Sequence, residues 1–405
     1  MFKKFNAESN IINKLNIQDA MEKENPFSPA YPANPKYFVD RTEVLNSFEK
    51  AFGRSIKTER PTPDNIAILG DWGIGKSSVL RKFEAMALEN KERRVFSATV
   101  RLIPSFCTSF DSFTANVIND IERNFTVHAP LLAKVREEVK NWRIKINLPG
   151  IGMERIPRRI SGANIFGDAL LNLWKVLEKS GVDTVLLMID DIHYLAEKYP
   201  DGLYDLRGIF QGLPEHGCNF MLCVTGKREV FTNIRELAEP LTRFFNLKHT
   251  LDVFNLEETR DAILKPIRIA GLNLTVDDDV IKRIYHLTAG HPFFIHFIMR
   301  EAASLRPEGN ITIEWFKRYY TEIQRIMARE KFDADFSIAS DKEKKILLFA
   351  SALPDNFPPS DINIKGVRLQ LKFLLKKNLV IKHERGEYSL YHPLFREYLR
   401  AKLGK

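Results

Sequence analysis

Apolar positions along the chain change period several times, and each change marks a different kind of element. Ile66 to Leu69, Thr184 to Asp191 (TVLLMIDD) and Asn219 to Thr225 (NFMLCVT) run almost without a polar break. Continuous runs of that length, without alternation, predict strands buried on both faces of a parallel sheet. Arg94 to Leu102 and Leu247 to Val253 read as two further strands. Helical spacing falls between them: through Leu45, Phe48 and Phe52, from Lys76 to about Glu89, and near Phe113 to Phe125. Another helix carries Phe166, Ala169, Leu170, Leu173 and Leu177 on one face. From Leu256 the period is helical throughout, over Glu257–Ile269, Asp277–Leu287, Pro292–Leu305 and Asn310–Glu330.

Residues 336–405 change character again. A helix over Lys342–Ala352 is followed by Pro354, Pro358 and Pro359 and a short turn. A basic helix over Val367–Lys377 precedes strands Val380–Glu384 and Glu387–Leu390, joined at Arg385-Gly386, and a last helix starts at Pro393. That order predicts a winged-helix domain. The expected division is an N-terminal arm (1–35), a core (36–254), a helical lid (255–335) and the winged helix (336–405). In the arm, Pro26, Pro29, Pro32 and Pro35 force an extended path along another surface. Residues 105–181 are long for one crossover and are read as an insertion. It includes a hairpin over NWRIKINLPGIGMERI with Pro149-Gly150 at its turn, either a partner-binding or oligomerising device or a plain surface elaboration.

The chemistry enters at the end of the first strand. Gly70, Gly75, Lys76 and Ser77 fit G-x-x-x-x-G-K-[ST] between a strand and a helix, the context that motif requires. Glycines let backbone N–H groups curl around a phosphate, so Gly70, Gly73, Ile74, Gly75, Lys76, Ser77 and Ser78 are expected to hold a nucleoside triphosphate. Lys76 would neutralise β/γ oxygens, and the Ser77 hydroxyl would complete a Mg²⁺ shell. Two carboxylates end TVLLMIDD where ligands sit in open α/β sheets. Asp190 is expected to share the metal, and Asp191 to orient or deprotonate the attacking water, an acidic helix cap being its alternative. Thr225, ending the next apolar strand, is the candidate to sense a γ-phosphate, with Lys227 or Arg228 as nearby charge; loop solvation is the alternative. Arg243 could reach phosphate in its own or a neighbouring subunit, or form a surface ion pair.

Charge adds a second theme. The chain of 405 residues carries +9, and between Lys365 and Lys405 there are eleven Lys/Arg against three Glu. A basic end on a near-neutral body points to a polyanion, nucleic acid first, with a solvated lysine surface as the alternative. In the basic helix Val367, Leu371, Leu374 and Leu375 form the buried stripe, leaving Arg368, Lys372, Lys376 and Lys377 outward. These, with Arg385 in the wing, are the expected DNA contacts, to phosphate rather than to base edges. Three cysteines with no zinc-type spacing fit a reducing cytoplasm. No apolar run reaches the ~18 residues of a membrane span, and the N-terminus lacks the apolar stretch of a signal peptide.

Taken together, FVDRTEVL, GDWGIGKSS, LLMIDD, TAGHP and YSLYHPLFREYL resemble the STAND/AAA+ ATPases of archaea over about residues 25–405. The resemblance implies an α/β P-loop NTPase fold of the ASCE type, with an origin-recognition-like ATPase domain, a helical lid and a C-terminal winged helix. It implies ATP/ADP and Mg²⁺ as ligands. It places Phe38, Val39 and Arg41 on the adenine side and Pro292 by the base or sugar. It matches His392 to a histidine touching the ADP β-phosphate, although Pro393 replaces the usual acidic neighbour and a core histidine opening the last helix fits the residue better. Asp190-Asp191 stands where initiators of the origin-recognition type have Asp-Glu, which favours the STAND side and slow hydrolysis used as a switch. The expected output is duplex DNA binding; the alternative is an oligomerising signalling or defence ATPase whose winged helix is autoinhibitory or docks protein. A metabolic kinase or GTPase is disfavoured, since no N/T-K-x-D motif occurs.

Overall fold

A computed structural model describes residues 25–128, 131–145, 162–231, 241, 243–383 and 386–404. The chain divides into two compact units: Pro32–Asp252, and residues 253–404 together with 25–31.

The first unit is a six-stranded sheet between helical layers. In chain order it contains α1 (Thr42–Arg54), β1 (Ile66–Leu69), α2 (Lys76–Glu89), β2 (Val95–Arg101), α3 (Phe110–Arg123), β3 (Phe125–Val127), α4 (Leu132–Lys145) and α5 (Gly162–Lys179). These are followed by β4 (Thr184–Asp190), α6 (His193–Lys198), α7 (Gly202–Gly212), β5 (Phe220–Gly226) and β6 (Leu247–Thr250). Strand order is β3-β2-β4-β5-β1-β6. All neighbours are parallel except β3, which runs antiparallel to β2. The uninterrupted apolar runs are explained by the layers. Val185, Leu187 and Ile189 of β4 join a core with α3, α5 and α7, while Leu186 and Met188 join another with α1 and α2. The sheet ends in two short edge strands, three-residue β3 and four-residue β6, the latter with Lys248 exposed.

Two expectations change in the insertion. Asn141 to Lys145, read as the first arm of a hairpin, continue helix α4, whose turns bury Val135 and Val139 against the core at helical spacing. The remainder of that hairpin lies outside the described residues. The antiparallel edge strand β3 was not anticipated; Phe125 packs its ring on Phe96 of β2, with centroids 5.0 Å apart.

The second unit holds α8 (Leu256–Ile269), β7 (Leu274–Val276), α9 (Asp278–Thr288), α10 (Pro292–Leu305), β8 (Gly309–Ile311) and α11 (Ile313–Met327). It continues with α12 (Asp333–Ser337), α13 (Asp341–Ala352), α14 (Val367–Lys376), β9 (Val380–Lys382), β10 (Tyr388–Leu390) and α15 (Pro393–Leu403). The region after Leu256 is therefore not wholly helical. Residues 274–276 and 309–311 pair as a small parallel ladder, and Asn310 belongs to it rather than to a helix. Of the proline-rich arm, Asn25 donates to the Arg300 carbonyl at 3.1 Å, and buried Phe27 meets His296 edge-on. The arm's later residues belong to the first unit, where the Ala33 N–H donates to Ser78 Oγ at 3.0 Å.

One glycine of this unit is fixed by a close approach. Gly290 (φ 73°) lies in the TAGHP turn, and a Cβ there would stand 1.9 Å from the Phe254 carbonyl oxygen. The Phe254 N–H donates to the Gly290 carbonyl at 2.8 Å, so the turn is tied to the start of α8. Gly290→Ala is expected to destabilise this unit by about 2–4 kcal/mol, from left-handed backbone strain plus the clash. A chemical denaturation midpoint matching the wild type would refute that.

Candidate nucleotide site

The phosphate loop follows β1 and opens α2. Gly70 sits at φ 154°, where a Cβ would approach Ile74 Cγ2 to 2.9 Å and the Leu251 carbonyl to 3.1 Å. Gly73 and Gly75 adopt φ 72° and 99°, so the loop curls through a left-handed backbone that side chains resist. Gly75 occupies the N-cap of α2 and brings no side-chain cap, so the first N–H groups of that helix remain available to an anion. The Lys76 ammonium is held by the carbonyls of Gly70 (3.0 Å) and Asp71 (2.7 Å). Burial lowers its pKa, while Asp191, Asp190 and Asp71 oppose that fall.

The second half of the site comes from β4 and β5. Ser77 Oγ donates to Asp190 Oδ2 at 2.7 Å. The Thr225 hydroxyl donates to Asp190 Oδ1, and the Asp191 N–H donates to Thr225 Oγ1 at 2.9 Å. Thr225 can do this because β5 lies between β1 and β4 in the sheet, so its polar end falls between the two anchor strands. Asp190 is buried, with both oxygens accepting, and Arg101 Nε stands 3.6 Å from it across the β2–β4 register. Asp191 turns left-handed (φ 64°), a costly conformation for a non-glycine residue and one that clusters at functional sites. Its carboxyl pKa is pushed up to about 6, first by burial and then by the charge of Asp190, against the pull of Lys76. His193 is held down to about 4, chiefly by burial.

Around this centre lies a charged frame whose cations were expected near the site but whose partners the sequence did not give. Arg228 donates to Asp71 at 3.0 Å, to Asp252 at 2.6 Å and to the Leu251 carbonyl at 3.0 Å, linking the phosphate loop to the segment after β6. Arg41, left-handed at φ 61°, donates to the Asp252 carbonyl at 2.7 Å and to the Ile74 carbonyl at 3.4 Å. Arg41 thus touches the phosphate loop itself; Phe38 packs on the core cluster containing Ile74, and Val39 is half-buried beside it in sequence. Lys227 pairs with Glu197 at 2.8 Å. Arg101 was missed because its partner Asp190 is remote in sequence, as are the partners Asp71 and Asp252 that fix Arg228.

Arg243 requires a correction. Phe244 and Asn246 bond Asn65, just ahead of β1, so Arg243 lies at the amino-terminal edge of the sheet. The phosphate loop lies at the opposite edge, beyond a four-residue strand of about 13 Å. Arg243 does not reach its own subunit's loop.

Pro292 and His392 belong to the second unit. Pro292 opens α10. His392 is buried at the N-cap of α15, where Nδ1 accepts from the Leu394 N–H (3.1 Å) and Nε2 donates to the Thr288 carbonyl (2.9 Å). Burial, then neighbouring His291, lowers its pKa to about 3. Both nitrogens are engaged in the neutral ring, the core role that suited its sequence context. On α14, Arg368, Lys372 and Lys376 are exposed as expected. Lys377 is corrected: its ammonium pairs at 2.6 Å with buried Glu343, which caps α13 through Ser340. Arg385 lies outside the described residues. Leu369 and Phe373, 54% and 40% exposed, share the outer face of α14 with the basic residues, a feature not read from the sequence.

The donor set suits a hard divalent ion, since hydroxyl and carboxylate oxygens meet at Ser77 and Asp190. Among the described residues no cluster of three or more His, Cys, Asp or Glu is arranged to hold a metal. An ion here would therefore complete its shell with phosphate and water. Among the described residues no helix is long and apolar enough to cross a membrane.

No protein-family model matches the chain, and no curated protein matches it in sequence. Solved structures do match. The Walker-type ATPase PABY2304 of Pyrococcus abyssi is 17% identical, with 90% of this chain and 96% of that one covered, at a TM-score of 0.57. The ORC2 protein of Aeropyrum pernix in ADPNP–ADP complexes is 12% identical, with 95% and 99% covered, at 0.58; its ADP form gives 0.54. Together with the sheet order and the phosphate loop, these likenesses establish the architecture: the chain has the fold of an origin-recognition-like P-loop ATPase of the AAA+ type.

Proposed function

We propose that the protein is an ATP-operated switch whose nucleotide state controls a basic C-terminal winged helix, and that its output is binding to duplex DNA. The observation that carries the nucleotide half is the convergence of Lys76, Ser77, Asp190, Asp191 and Thr225 at one edge of the sheet. The Aeropyrum pernix ORC2 structures, described as ADPNP–ADP and ADP complexes, support adenine nucleotides as the ligand.

In this reading the Lys76 ammonium exchanges the Gly70 and Asp71 carbonyls for β/γ-phosphate oxygens. Ser77 and Asp190 would hold Mg²⁺, which when bound would neutralise phosphate charge. Asp191 orients the attacking water or takes its proton, and Thr225 holds Asp190 in register while sensing the γ-phosphate. The aspartate pair favours slow turnover, so the bound state persists as a signal. The lid is residues 255–335 and the winged helix 336–405. The difference between triphosphate and diphosphate biases their position as a two-state element.

The exposed Arg368, Lys372 and Lys376 support DNA as the output. Reversing Lys372 and Lys376 to glutamate in the full chain is expected to abolish salt-sensitive duplex binding, measured by fluorescence anisotropy in each nucleotide state. Unchanged affinity would remove DNA from the proposal. Exposed Leu369 and Phe373 favour the second reading, in which the same face docks a protein and the ATP form oligomerises. Light scattering with an ATP analogue against ADP, with and without duplex, separates the two. The three thiols, all buried and unpaired, accord with a cytoplasmic location.

A further inference from the structure

Beside the carboxylate pair, a buried polar atom has no hydrogen-bond partner: Nδ1 of His193. The residue opens α6, its side chain is 8% exposed, and Nδ1 stands 3.8 Å from Asp191 Oδ1. That separation is too long for a hydrogen bond, yet a small rotation of the carboxyl would close it. The ring is seated against Tyr194, with centroids 4.2 Å apart. A buried N–H left unpaired costs about 1–3 kcal/mol, so its persistence calls for a use.

Asp191 supplies the complementary deficit. Its backbone is pinned by the left-handed turn and by the N–H bond to Thr225, but its carboxylate receives no side-chain hydrogen bond among the described residues. We propose that His193 is a positioning residue: in the loaded site its Nδ1–H donates to Asp191 Oδ1 and leaves Oδ2 facing the attacking water. A carboxylate only accepts, so Nδ1 must carry the proton, and burial keeps the ring neutral with one N–H to give. The inference rests on the ATPase reading above and adds the group that aims its base.

The test uses three variants of the full chain. His193→Asn puts an amide N–H close to where Nδ1 stands, His193→Gln reaches instead to the Nε2 position, and His193→Ala offers neither. The alanine and glutamine variants are expected to lose roughly tenfold or more in kcat, with the affinity for Mg·ADP and the thermal midpoint unchanged. The asparagine variant should recover most of that turnover. Wild-type kcat in the alanine variant overturns the proposal. So does an asparagine variant as slow as alanine, or a loss of Mg·ADP affinity in all three, which would mark a packing role. Wild-type protein that binds no Mg·ATP would instead bring down the nucleotide reading itself, and this inference with it.

Discussion

Lys76→Ala is expected to eliminate measurable ATP hydrolysis and to weaken Mg·ATP binding by about 3–4 kcal/mol, roughly two to three orders of magnitude. The reason lies in where the ammonium sits. It is half-buried against two loop carbonyls at 2.7 and 3.0 Å and faces the charges of Asp190 and Asp191. A phosphate entering the loop would meet both carboxylates without the one cation that the loop itself supplies, leaving Arg101 beside Asp190 to offset them. Lys76→Arg should rescue little, because a planar guanidinium is too large for a point charge hemmed in by the curl of Gly70 to Gly75. Isothermal titration calorimetry measures the effect, with circular dichroism confirming the fold. A loss under about threefold would mean that the loop does not grip phosphate.

Asp191→Asn is expected to separate binding from chemistry. The amide keeps the side chain's shape, and the backbone N–H still donates to Thr225 Oγ1. Nucleotide should therefore bind at least as tightly, while turnover falls by roughly 10²–10⁴, the usual contribution of a positioned base. The nearly isosteric change also removes one of two neighbouring acidic groups, relieving the burial cost and then the Asp190 repulsion that together raise the Asp191 pKa. Single-turnover hydrolysis with preloaded ATP reads the result. If the asparagine form hydrolyses at the wild-type rate, Asp191 is no base.

Much of this was legible in the sequence because burial leaves a mark on composition. A strand covered on both faces, such as β4, must be apolar at every position, and its two terminal carboxylates then stand out. The phosphate loop is legible for a different reason: its glycines, lysine and serine meet a local steric and electrostatic demand within nine residues of chain. Elements that depend on partners far away were not legible. Edge strand β3 is three residues long and only its last residue is buried, so it carries no periodic signal. Helix α4 was misread at Asn141–Lys145 because Trp-Arg-Ile-Lys alternates like a strand, whereas Val135 and Val139 set its actual period. Lys377 looked like its basic neighbours until Glu343, thirty-four residues away in sequence, took its charge. For Arg243 linear order leaves phosphate contact and a surface ion pair both open, and only the β1–β6 register shows that it stands at the other edge of the sheet.

The two margins of the sheet constrain how copies of this protein can come together. A neighbouring chain seeking to lengthen the ladder would find three residues to zip onto at one side, and four at the other with a lysine projecting into water. Among the described residues neither rim offers the long, flat, apolar template that strand-to-strand polymerisation requires. Contacts between copies at these rims would be short and charged, and so weakened by salt rather than propagating irreversibly.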